Sequence, residues 1–221
     1  MREVVLDTET TGLDPLSGHR IVEIGCVELV NHVASGRTYH QYINPERDMP
    51  VEAFNVHGLS AEFLRDHPVF ADVADAFVDF VGTAPLVIHN ASFDMGFINA
   101  ELARLKRPGI PMDQAVDTVS MARKKFPGAG ASLDALCKRF QIDNTHRELH
   151  GALLDARLLA EVYLELIGGR QPDLELAAEK EAQGVVVERT VRPPRAHAPL
   201  AEEEAAHKAF LEKLTDPVWS V

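Results

Sequence analysis

Four acids and a histidine are spaced so that they could hold divalent metal ions. Asp7 and Glu9 stand two apart in Leu6-Asp7-Thr8-Glu9, and residues at i and i+2 of a strand point to one face. Leu6 and Thr8 then face the other way. Two like charges side by side in a partly buried place are costly unless a cation neutralises them; on an open sheet edge the same pair is only solvated surface. His89-Asn90-Ala91-Ser92-Phe93-Asp94 follows an apolar run ending at Ile88. That puts Asp94 in the first turn of a helix, where an aspartate with no further role is also favoured. His150-Gly151-Ala152-Leu153-Leu154-Asp155 opens the last long helical stretch. Five residues turn about 140° around a helix, so these two meet only if His150 lies on the loop before it, a break that Gly151 permits. A capping histidine and an ordinary helical aspartate are the alternative. Together the segments form a hard, oxygen-rich set that suits Mg2+ or Mn2+ rather than Zn2+.

The elements that must position these groups follow from periodicity. Val4-Val5-Leu6 opens a strand that gives way to a turn at Thr10-Thr11-Gly12. Ile21–Val30 reads as a second strand and Thr38–Ile43 as a third, with Asn31-His32 near the turn between them. From Ser60 the period becomes helical, with Val69, Val73, Phe77 and Phe80 on one side. Pro85–His89 has the short apolar run of a buried strand. Phe97, Ile98, Leu102 and Leu105 mark the next helix, Ala115–Thr118 a fifth strand, and Ser132 caps a helix ending near Phe140. A last helix runs from about Gly151 to Ile167 and stops at Gly168-Gly169. Three strands followed by alternating helices and strands predict an α/β fold, a mixed sheet flanked by helices. Residues 171–201, rich in Ala, Glu, Pro and Arg, read as a flexible linker after a domain of residues 1–170. Helical patterning returns in 202–221.

Of the 221 residues, 46% are hydrophobic and 25% charged, enough for a core and for solubility. No apolar run approaches the ~20 residues of a membrane span, and the N-terminus is too short and acidic for a signal peptide. Cys26 and Cys137 form no C-x-x-C pair and read as buried thiols in a reducing cytoplasm. The net charge of −12 argues against tight binding to long duplexes. Residues 104–147 run the other way, with nine Lys/Arg against four Asp. A basic surface beside a metal site can hold a short strand, which fits an enzyme delivered to DNA by a partner.

On these motifs the sequence resembles the DnaQ-like, DEDDh-type 3′→5′ exonucleases. The motifs are Asp7-Thr8-Glu9-Thr10-Thr11-Gly12, His89–Asp94 and His150–Asp155-Ala156. The resemblance is closest to the proofreading epsilon branch associated with bacterial DNA polymerase III, which Arg20–Gly25 and Val56-His57-Gly58-Leu59 also resemble. It covers about residues 3–170 and implies an RNase H-like fold with a flexible C-terminal tail. It further implies that Asp7, Glu9, Asp94 and Asp155 hold two Mg2+ or Mn2+ ions, Asp7 bridging them. Two such ions suit an in-line displacement at phosphorus. His150 is the candidate general base, since histidine exchanges protons near neutral pH, and the product is a nucleoside 5′-monophosphate. Thr10, Thr11, Gly12, His57, Asn90 and Phe93 are the candidate contacts to a single-stranded or frayed DNA 3′ end.

In the tail, Gln171-Pro172-Asp173-Leu174-Glu175-Leu176 resembles the Gln-x-x-Leu-x-Leu/Phe peptides that dock into the bacterial sliding clamp, with Gln171, Leu174 and Leu176 as anchors. Phe210 and Trp219 belong to an apolar segment that the resemblance assigns to the polymerase III alpha subunit. The rivals are an RNA-directed nuclease with the same chemistry, a non-catalytic scaffold, and a divalent-metal phosphatase. The tail favours the proofreading reading over the first, and the five intact site residues oppose the second. The His-x4-Asp ending disfavours the third.

Overall fold

A computed structural model of the chain describes residues 1–145, 149–169 and 199–214. The chain divides into two units, Met1–Leu174 and Glu175–Val221. In the first, β1 (Arg2–Thr10) carries Val4, Val5 and Leu6 with no exposed surface. A strand apolar on both faces must sit inside the sheet. β2 (Ile21–Val30) pairs with it antiparallel, and β3 (Val33–Tyr42) pairs with β2 antiparallel. The β2–β3 turn is Asn31-His32, both at positive φ (51° and 66°), as a two-residue hairpin loop requires. β3 therefore starts five residues before the expected Thr38 and ends at Tyr42. Its first residues are exposed on both faces, so no alternation marked them as a strand; the tight turn and the Val30–Val33 pairing make them one.

α1 (Val51–His57), α2 (Ala61–Leu64) and α3 (Phe70–Val81) follow. The periodicity did not reveal α1, because only His57 on it is buried. Ser60 does cap a helix, accepting the Phe63 N–H, but α2 stops after four residues. The expected apolar stripe belongs mainly to α3. β4 (Leu86–Ile88) runs parallel to β1 and leads into α4 (Ala91–Arg104). β5 (Ala115–Asp117) runs parallel to β4 and leads into α5 (Thr118–Lys125), a short basic helix that was not expected. α6 (Leu133–Phe140) is capped by Ser132 as expected. α7 (Ala152–Leu166) ends where Gly168 and Gly169 take positive φ and the Gly169 N–H reaches Leu164 O at 2.8 Å.

The sheet order is β3-β2-β1-β4-β5, the mixed α/β sheet expected. One core lies on the face of Val4, Leu6, Leu86 and Ile88, under α3 and α4. The other lies on the face of Val5 and Val87, under α5, α6 and α7. At the end of β1, Asp7 and Glu9 continue the face covered by α7, and Thr8 continues the face covered by α4.

Of the second unit, the described element is α8 (Ala201–Leu211), near the expected position, on which Phe210 is exposed. Gln171, Leu174, Leu176 and Trp219 lie outside the described residues, as do most of the expected linker and the segment after residue 214. Among the described residues no helix is long and apolar enough to cross a membrane.

Candidate active site

The parallel strands β1, β4 and β5 end on the same edge of the sheet, and the sequence-expected acids gather there. From the α7 face, ligand atoms of Glu9, His150 and Asp155 all lie within 4.8 Å of one another. Asp155 is buried in the first turns of α7, its N–H bonded to Gly151 O at 2.8 Å. His150 lies on the loop before the helix, as the five-residue separation demands. Its Nδ1 is 3.2 Å from Asp155 Oδ2, while half of the ring remains exposed. Its own N–H donates to Val56 O at 3.1 Å, tying the loop to α1.

Two residues of β2 bring α7 this close. A Cβ on Gly25 would lie 2.2 Å from the Ala152 carbonyl carbon and the Leu153 nitrogen, so only glycine lets the first turn rest on the strand. Beside it, buried Glu23 accepts the Ala152 N–H at 3.1 Å and contacts His40 Nε2 at 2.7 Å. Glu23 thus satisfies one of the amides that a helix start leaves unpaired.

Asp94 arrives from the opposite face. It is buried, and its Oδ1 accepts both the Thr8 N–H at 3.0 Å and the Thr8 hydroxyl at 2.8 Å. Burial pushes its pKa up to about 7, although the Thr8 bonds pull the other way. The helix that carries it is anchored by Arg20, whose guanidinium grips buried Glu101 through two bonds of 2.6 and 2.9 Å. Asp7, half-buried, stands on β1 two residues before Glu9 and on the same face as it. Carboxylates crowded at a largely buried edge call for cations, and their oxygens suit hard divalent ions. The residues present therefore fit such a metal.

A pocket of about 510 Å³ adjoins the acids, lined among others by Thr10, Thr11, Gly12, His57 and Phe93. The Thr10 hydroxyl donates to Gly12 O, and the buried Thr11 hydroxyl accepts the Arg20 N–H and meets His19 Nδ1. What these two threonines can offer a ligand is thus mainly backbone. A Cβ on Gly12 would fall 2.3 Å from the His19 ring, so this glycine makes room for His19, a pocket residue that no sequence motif marked. His57 Nδ1 accepts the Leu59 N–H at 3.0 Å, which leaves the proton on a buried Nε2 with no well-formed hydrogen bond. Burial holds its pKa below the ordinary value, nearby His150 adding to the depression and the Thr10 backbone opposing it. Phe93 stacks at a tilt on Phe97, 5.0 Å between centroids. Asn90 lies apart from this pocket, in a neighbouring groove. A larger, mainly apolar groove of about 900 Å³ between the β2–β3 hairpin and α7 holds none of the acids.

Residues missed by sequence reasoning as contributors to the site are those that seat its helices: Arg20 with Glu101, and Glu23 with Gly25. Arg20–Gly25 had signalled only as a stretch of family resemblance.

Comparison with known proteins agrees with this geometry. The exonuclease family model matches residues 4–163. The DNA polymerase III subunit epsilon of Rickettsia felis is 52% identical over 222 residues, covering 97% of both chains. That of Escherichia coli is 48% identical over 226 residues, covering 96% of this chain and 92% of the relative. Among solved structures, exonuclease X in complex with 5′ overhanging duplex DNA matches with TM-score 0.58 and 26% identity, over 74% of this chain and 90% of that one. The nuclease domain of 3′hExo, a DEDDh family member bound to rAMP, matches with TM-score 0.66 over 75% and 91%; at 18% identity it supports the fold alone. The fold is thus the RNase H-like exonuclease fold, and the chain belongs to the exonuclease family, in its DNA polymerase III epsilon branch.

Proposed function

We propose that this chain removes mispaired nucleotides from DNA 3′ ends as the metal-dependent 3′→5′ proofreading exonuclease of polymerase III. The observation that carries the reading is the convergence of Glu9, His150 and Asp155, from distant parts of the chain, on the edge where Asp94 arrives from the other face. In this reading Asp7, Glu9, Asp94 and Asp155 would hold two divalent ions, Mg2+ or Mn2+. When bound, those ions supply the positive charge that activates water and stabilises the leaving 3′-oxygen.

The residues themselves do the rest. His150, half exposed and oriented by Asp155, takes the proton from the attacking water. The adjoining pocket receives the last nucleotide, with the backbone of Thr10–Gly12 along one side, Phe93 against the base and the His57 Nε2–H donating to the sugar or base. Thr8 holds Asp94 still while charge changes around it. The pocket accepts only unpaired strand, so a frayed mismatch enters without the cost of unpairing. Phe210, exposed on α8, and Trp219 contact the polymerase alpha subunit, and Gln171, Leu174 and Leu176 the sliding clamp, placing the enzyme in the cytoplasmic replisome.

The test is release of 5′-mononucleotides from a 3′-mispaired DNA primer and from single-stranded RNA with Mg2+ or Mn2+, for wild type and Asp7→Ala. Faster release from the mispaired DNA, abolished in the variant, is expected. Preference for RNA would move the biology to RNA turnover, and no release with either metal would leave the scaffold reading.

A further inference from the structure

A second groove, of about 420 Å³, opens on the same sheet edge, between the β4–α4 and β5–α5 junctions. Its volume is in the range of small-ligand sites, and it is polar where the nucleotide pocket is mainly apolar. It is lined by His89, Asn90, Asp117, Arg123 and Ser132 among others. Asp117 and Ile88 are paired across β4 and β5, as Leu6 and Ile88 are across β1 and β4. The groove therefore lies about two strand spacings, ~10 Å, from the β1 acids, on the far side of the α4 N-terminus from the nucleotide pocket.

Its one acid is internally committed. Asp117 accepts the Asn90 and Val119 N–H groups and the Ser120 hydroxyl. Burial would raise its pKa, yet these donors together hold it below the ordinary value. By accepting the Asn90 N–H it also helps to fix that residue at φ 67°, a left-handed conformation that asparagine tolerates better than most residues. The groove's cation is not committed in this way. Val119 and Arg123 are four apart and share the groove-facing side of α5, while Thr118 and Ala122 are buried. Other members of the basic stretch 104–147 are engaged: Arg104 with Glu101, Arg107 with Asp75, Lys125 with the last carbonyls of α7, and Arg139 over Phe126. Among the described residues Arg123 has no ion-pair partner.

We infer that this groove, with Arg123 as its cation, binds the phosphodiester backbone of the nucleotides that precede the scissile one. The inference rests on the exonuclease reading above. With the last nucleotide in the apolar pocket and its phosphate at the acids, the rest of the strand leaves across the α4 N-terminus and meets Arg123. A guanidinium suits a phosphate through paired N–H donors.

The experiment compares two substrates that differ only in whether a preceding strand exists: the p-nitrophenyl ester of thymidine 5′-monophosphate, and a short oligo-dT. For Arg123→Ala the ratio of oligonucleotide to ester kcat/KM is expected to fall about tenfold, the size of a lost charge-assisted hydrogen bond. The salt dependence of oligonucleotide KM should flatten by about 0.7 in log–log slope, one phosphate on a single strand. Arg123→Lys should keep most of the slope. Lys138→Ala, which removes one exposed charge from α6, should leave both ratio and slope unchanged. Fluorescence anisotropy of labelled oligo-dT with Ca2+ gives a readout independent of turnover, and the affinity of Arg123→Ala should drop by a similar factor. An unchanged ratio and slope, or equal effects of Arg123→Ala and Lys138→Ala, would overturn the inference. If wild type hydrolysed neither substrate yet bound oligo-dT through Arg123, the nuclease reading would fail and the groove would stand.

Discussion

The two helices that meet at the end of β1 deliver one aspartate each, and they are held by different means. On the α4 side, Asp94 is buried and clamped by two bonds from Thr8, and its helix is locked by the doubly bonded Arg20–Glu101 pair. On the α7 side, Asp155 depends on a backbone-to-strand approach that Gly25 permits and Glu23 secures. Its neighbour His150 is half exposed and donates its backbone N–H to Val56 of α1. The rigid side suits a ligand that must not move. The more exposed imidazole suits a base that must take up a proton and release it to solvent. A site with both needs one deeply satisfied carboxylate and one accessible imidazole, and the two faces of a single strand supply them.

That contrast can be broken most severely at the acids. Asp155→Asn should cut mononucleotide release from a mispaired primer by at least about 10³-fold, through loss of metal-borne charge stabilisation. Its thermal melting temperature without metal should hold or rise, because one of several crowded charges is gone. His150→Ala should cost about 10²- to 10⁴-fold in kcat, the range for a general base, with Mn2+ affinity by calorimetry changed far less than in Asp155→Asn. A parallel loss of metal affinity would make His150 a ligand rather than a base.

The supports of the two sides should fail differently. Arg20→Met leaves buried Glu101 with only its longer 3.6 Å contact to Arg104 and should destabilise the protein by about 1–3 kcal/mol in urea unfolding. Gly25→Ala should cost about 1–3 kcal/mol by overpacking. It should nevertheless cost more activity than its stability loss explains, because the added methyl pushes the first turn of α7 and the loop carrying His150 off the strand. If Gly25→Ala kept full activity, the close approach of α7 would not matter to the chemistry.

The mildest expected effect is a pH shift. The Asp94 carboxyl, raised to about 7, is protonated in the metal-free fold at pH values where an unfolded chain has already released that proton. The folded form therefore loses this group's contribution as pH rises from about 4 to about 7. A cation that binds the carboxylate should restore it. The Mn2+-induced rise in melting temperature should then be larger at pH 8 than at pH 6. Thr8→Val removes a bond that lowers this pKa and should move the midpoint of that gain upward by roughly one pH unit. A gain that did not depend on pH would mean that Asp94 is not among the groups that bind the ion.

Much of this was legible along the chain because it is local. Val4-Val5-Leu6 is apolar on both faces and so announces a central strand; Asp7 and Glu9 share a face by the period of a strand alone. Ser132 and Gly168-Gly169 mark helix ends through short-range backbone chemistry. The break that puts His150 on a loop followed from helical geometry and one glycine. α1 and α5 were not legible, because with so few buried residues they carry too little apolar period, and the first half of β3 was hidden by exposure on both faces. Only tertiary structure decided that Asp94 and Asp155 reach one strand edge from opposite faces, since burial on two separate cores sets that. It alone decided that Gly25 and Glu23 seat α7, that Arg20 locks α4 through Glu101, and that Asn90 turns toward a second groove. Each of these depends on which distant residue comes within hydrogen-bonding or van der Waals range, and spacing along a chain carries no such information.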